Sequence, residues 1–86
     1  MTFCIAVFRS RNETLYLANM LKSLGVQTGI INTPKEAGQA CGISVRFDER
    51  LLFKVKQCLS SKPFRAFAGF YRITQTSGRI KVERIV

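Results

Sequence analysis

The sequence contains no histidine. That absence removes every Cys-His and Ser-His-Asp arrangement, in which an imidazole takes the nucleophile's proton. It also weakens a zinc site, because such sites draw four ligands from Cys, His and carboxylates at recognisable spacings. Cysteine is scarce: Cys4, Cys41 and Cys58 are an odd number with no C-x-x-C pair. Neither a disulfide framework nor a metal cluster is expected. Acidic residues number five against 14 Lys and Arg. Glu13, Glu36, Asp48, Glu49 and Glu83 show no paired arrangement for general acid–base work. No apolar run approaches the roughly 20 residues of a membrane span. No positive region precedes Met1-Thr2-Phe3-Cys4-Ile5, so a secretory signal is not expected. The expectation is a cytoplasmic chain with no membrane, no metal and no cofactor.

What is present fits one domain spanning residues 1–86. A single core is thin at this length, so a homodimer interface is a plausible second buried surface. The net charge of +9 lies mostly in the second half and attracts anions in general, without identifying a partner.

Phe3 to Phe8 is a continuous apolar run of strand length. Ser10-Arg11-Asn12-Glu13 fits a capping box that opens a helix. Thr14, Leu17, Ala18, Leu21 and Leu24 give that helix an apolar stripe, and Gly25 stands where a left-handed cap residue is expected. Val26 to Ile31 reads as a short edge strand broken by Gly29 and ended at Pro34. Lys35 to Gly42 is a loop whose start can form one helical turn behind Pro34. Ile43 to Phe47 alternates, with Ile43, Val45 and Phe47 on one face and Ser44 and Arg46 on the other. Asp48 is a natural N-cap for a second helix striped by Leu51, Leu52, Val55, Cys58 and Leu59. Ala66 to Ile73 is a further strand, Thr74 to Gly78 a turn, and residues 79–86 a terminal strand or tail. The predicted class is α+β: a ferredoxin-like β-α-β-β-α-β antiparallel sheet with two helices on one face and room for an extra C-terminal strand. The opposite face is open unless something covers it.

Cys4 and Cys58 sit on apolar stripes and read as core thiols. Cys41 differs, because Gln39, Ala40 and Gly42 around it build no core. Gly42 lets the chain turn closely at the sulfur, and Lys35 and Arg46 are near enough in sequence to favour a thiolate. Many loop cysteines do nothing, so these residues alone leave the thiol either reactive or incidental.

Pro34, the polar loop, Cys41-Gly42 and then Ile43-Ser44-Val45-Arg46-Phe47 resemble the core motif of the selenium/sulfur carrier protein-like family of small bacterial domains. Phe8-Arg9-Ser10 resembles that family's opening strand and helix start, and Gly69-Phe70-Tyr71-Arg72-Ile73 its last strand. The resemblance covers about residues 3–73. It departs at Gly38-Gln39-Ala40, where a serine-rich approach is more usual, and after Thr74, where this chain runs on. It implies a carrier rather than a turnover enzyme. Cys41 would hold a persulfide or selenopersulfide, passed from a donor enzyme to an acceptor protein. Pro34 and Gly42 would shape the loop; Lys35, Arg46 and Arg72 would meet an anion or partner.

A nucleic-acid module is the alternative. If Phe3, Ile5 and Val7 face the helices, Cys4, Ala6 and Phe8 lie on the open face, near Arg46, Phe70 and Arg72. Aromatics among arginines on a four-stranded sheet are how RNA-recognition domains stack bases.

Overall fold

A computed structural model describes residues 1–38 and 41–85. The order is β1 (Thr2–Phe8), α1 (Arg11–Ser23), β2 (Thr28–Asn32), β3 (Ile43–Phe47), α2 (Leu52–Ser60), β4 (Phe67–Thr76) and β5 (Arg79–Arg84). The strands form one antiparallel sheet in the order β2-β3-β1-β4-β5, a ferredoxin-like arrangement with one strand added beyond β4. The expected fold is therefore present, and the segment after Thr74 extends β4 and supplies β5. Val86 lies outside the described residues.

Local chemistry explains the elements. Ser10 caps α1 by accepting from the Glu13 N–H at 3.3 Å. Gly25, at φ +76°, closes it: Gly25 N–H donates to Lys22 O and Val26 N–H to Leu21 O, the bond pair of a Schellman motif. Asp48 accepts from the Arg50 N–H and starts a 3₁₀ turn, Glu49–Leu51, that runs into α2. The β4–β5 turn is tighter than expected. Ser77 (φ +46°) and Gly78 (φ +79°) form a two-residue hairpin of type I′ character, so Gln75 and Thr76 pair within the sheet.

The faces of β1 are opposite to the sequence reading. Cys4, Ala6 and Phe8 pack with Leu17, Leu21, Val55 and Cys58 beneath the helices. Phe3, Ile5 and Val7 lie on the other side with Ile73 and Ala37. A continuously apolar strand carries no alternation from which to read the face, and a one-residue shift exchanges the two sets. Nor is the second face open. A 3₁₀ turn, Lys35–Ala37, lies over it and buries Ala37, and Tyr71 Oη donates to Ala37 O at 3.3 Å. The cover is the chain's own loop, with Val82 of β5 beside it.

Candidate functional site

The covering loop ends at Cys41, and three elements fix that residue. Its N–H donates to Phe8 O, the last carbonyl of β1, at 3.0 Å. Thr33, beyond β2, donates its hydroxyl to Cys41 O at 2.9 Å and its N–H to Gly42 O at 2.9 Å. With the Thr33 proton so engaged, Ser44 Oγ must donate to Thr33 Oγ1 across their 2.6 Å contact. This satisfies Ser44, which is fully buried, and closes the base of the loop.

The sulfur lies 3.1 Å from Ile43 O, to which the thiol donates, and 3.5 Å from Thr14 Oγ1 in the first turn of α1. Thr14 is fully buried and also bonds Ser10 O at 3.0 Å. Its hydroxyl carries one proton and has two acceptors in reach, a backbone carbonyl and the sulfur. Thr14 can therefore donate to the sulfur when that atom has no proton of its own. The sequence reading counted Thr14 as part of the apolar stripe. Its spacing four residues after the N-cap Ser10, where a hydroxyl bonds back to a carbonyl, was the available signal.

The three cysteines differ as expected. Cys4 is fully buried, Cys58 is 7 % exposed and Cys41 is half-buried. Burial pushes the Cys4 thiol up to about 11, with Glu49 and Asp48 adding to the rise and Arg72 opposing it. Cys4 thus stays protonated and enclosed near neutral pH. Among the described residues, no three Cys, Asp or Glu side chains gather as a metal site.

The residues expected around Cys41 are placed differently. Pro34 immediately precedes the 3₁₀ turn, and its carbonyl accepts from the Ala37 N–H. Gly42 has no positive φ, and among the described residues a Cβ there would meet nothing within 4 Å. The bend belongs to Gly38, at φ +83° and ψ −160°, a region reserved for glycine. Gln39 and Ala40, the departure from a serine-rich approach, lie outside the described residues. Lys35 is exposed on the 3₁₀ turn.

Arg46 is not beside the sulfur. It is three residues into β3 from Ile43, about 10 Å along the strand. Its guanidinium stacks over the Phe3 ring at 3.8 Å. Arg72 is opposite Cys4, on the helix side, and its Nε donates to Glu49 at 3.0 Å. That bond holds the Glu49 carboxyl below the usual carboxylate range. The arginines proposed to share one face with Phe8 and Phe70 are therefore on opposite faces. Phe8 and Phe70 are buried under the helices, and no aromatic ring of the sheet's described residues is exposed.

Glu13 was expected to return to the Ser10 N–H. Its carboxylate instead accepts from the backbone N–H groups of Arg65 (3.2 Å) and Ala66 (2.9 Å). Arg9 N–H then donates to Ala66 O at 2.7 Å, so the approach to β4 is bound to the same corner as Cys41.

Fold and site together define a small α+β protein in which, of three cysteines, Cys4 and Cys58 are buried and Cys41 is half-buried. A family profile described as "Putative Se/S carrier protein-like" matches residues 3–72. The chain belongs to that family. No curated protein and no solved structure matches it.

Proposed function

We propose that Cys41 is a carrier thiol that holds sulfur as a persulfide, or selenium as a selenopersulfide, between a donor enzyme and an acceptor protein. One observation carries the reading: of the three thiols in a chain of this family, only Cys41 is both reachable and held by side chains, Thr14 among them, that can answer a change at the sulfur. In loading, the Cys41 thiolate attacks the outer sulfur of a donor persulfide. The donor's S–S bond breaks, its thiolate leaves, and Cys41 keeps the outer sulfur. No external oxidant is needed, because the transferred sulfur keeps its oxidation state. Delivery to the acceptor is the same exchange in reverse roles. The Thr14 hydroxyl donates to whichever anionic sulfur lies within its reach.

The test is incubation of the folded protein with a low-molecular-weight persulfide, followed by mass mapping of each cysteine. One added sulfur at Cys41 is expected. It should be lost in Cys41→Ser and kept in Cys58→Ser. Equal labelling of all three cysteines in the folded protein would remove the proposal.

A further inference from the structure

Charge is not spread evenly about the thiol. Of the five acids, Asp48 pairs with Arg50, Glu49 pairs with Arg72, and Glu36 stands beside Lys35 on the 3₁₀ turn, which lies against β5. Glu83 reaches both Arg72 (4.0 Å) and Lys81 (3.9 Å). Asp48 and Glu49 follow the far end of β3, and Glu83 lies on β5. Glu13 is nearer the thiol, but its two carboxylate oxygens are both engaged by backbone N–H groups. Around Cys41 the cations lack such partners. Arg9 directly follows Phe8, whose carbonyl binds the Cys41 N–H. Arg11 opens the helix whose Thr14 touches the sulfur. Arg65 is joined to that corner through Glu13. All three are exposed, and among the described residues none is in an ion pair. Three arginines against one carboxylate leave this corner clearly positive.

We infer that Arg9, Arg11 and Arg65 form a docking rim for an acidic protein surface that brings its own sulfur to Cys41. The inference rests on the carrier reading for its purpose, and on charge placement for its content. A protein surface fits better than a small anion, because the rim joins two exposed chain segments around a corner. A groove of about 750 Å³ lies at the other end of β3, around Arg46, Asp48 and Arg50. A protein also fits better than nucleic acid, because no exposed ring of the sheet is available for base stacking.

The test uses three peptides, each with one cysteine as a thiopyridyl mixed disulfide, flanked by glutamates, serines or lysines. The Cys41 thiolate attacks the peptide sulfur, the peptide–thiopyridyl S–S bond breaks, and the released pyridinethione is followed by absorbance. At low ionic strength the glutamate peptide should react about tenfold faster than the serine peptide, and the lysine peptide more slowly than either. The three rates should converge near 0.5 M salt, where the screening length is only a few ångströms. The triple variant Arg9→Ser/Arg11→Ser/Arg65→Ser should lose the ordering; the backbone bonds of Arg9 and Arg65 are unaffected by that change. Lys54→Ser/Lys56→Ser on α2 should keep it.

An ordering that survives the triple variant, or is lost equally in the α2 variant, overturns the rim. So does a Cys41 that reacts with none of the peptides. Protection of Cys41 by a single-stranded oligonucleotide, without any advantage for the glutamate peptide, would give the corner to nucleic acid instead. Failure of persulfide loading with the ordering intact would sink the carrier reading and leave the rim. Loading without the ordering would do the reverse.

Discussion

The two faces of β1 are buried to the same degree by unlike means. Cys4, Ala6 and Phe8 are sealed under α1 and α2, whose stripes contribute Leu17, Leu21, Val55 and Cys58. Ile5 and Val7 are equally inaccessible, and Phe3 is only 5 % exposed. Their cover, however, is a 3₁₀ turn with the Tyr71–Ala37 bond, an arginine stacked on Phe3, and the half-buried side chains of Ile31, Ala68, Tyr71 and Val82. The helix side is held by many contacts that form or fail together. The loop side rests on a short 3₁₀ turn, Tyr71 and Val82, and the loop's end is anchored separately where the Cys41 N–H meets Phe8 O. A single 3₁₀ turn laid on a sheet face is expected to open before two packed helices.

The strongest way to break this contrast is at the aromatic cluster on the helix side. Phe8 stacks edgewise on Phe67 at 5.5 Å and packs tilted against Phe64 at 5.6 Å. Phe8→Ala should cost about 3–5 kcal/mol, by lost transfer energy and by the cavity left in a rigid layer. Phe3→Ala should cost less, because its ring borders the groove beside Arg46, where the site can collapse. Denaturant unfolding of both variants measures the difference. Equal losses would mean that the loop seals its face as firmly as the helices seal theirs.

The contrast also explains what could be read from the sequence. β3 was legible because it alternates: Val45 and Phe47 go to the helices, Ser44 and Arg46 to the other side. The caps at Ser10, Gly25 and Asp48 were legible because each is a local rule about one helix end. β1 was not, because it is apolar on both sides and either face satisfies burial. The side chains that receive Cys4, Ala6 and Phe8 are Leu17, Leu21, Val55 and Cys58, and they meet β1 only in the folded chain. The site divides in the same way. Cys41 stood out by its polar neighbours and the family motif. Thr14 and Thr33 did not, since each reaches the cysteine only after the chain has folded around a corner. Ser44 looked like an ordinary outward polar residue until the loop came down on its face.

Removing the Tyr71 bond that ties the loop's turn to the sheet gives a smaller effect. Tyr71→Phe deletes the donor to Ala37 O and keeps the ring. A stability loss of about 1 kcal/mol is expected, the usual net worth of one intramolecular hydrogen bond. If Cys41 reacts through opening of the loop, the same change should speed its alkylation about fivefold, while Cys4 and Cys58 remain protected. A loss of stability with no change at Cys41 would separate the turn from the thiol, and the two faces would differ only in strength.

The smallest effect belongs to the residue that the motif marks most visibly. Gly42 follows the sulfur, yet its φ is not positive, and none of the described residues occupies the space where a Cβ would stand. Its carbonyl is the group in use, accepting from the Thr33 N–H, and alanine would supply the same carbonyl. Gly42→Ala should therefore fold with a stability within about 0.5 kcal/mol of the parent. Its Cys41 alkylation rate should also be the same. A tenfold change in that rate, with stability kept, would show that the space beside the sulfur is needed empty. The glycine would then serve access to the sulfur rather than the shape of the loop.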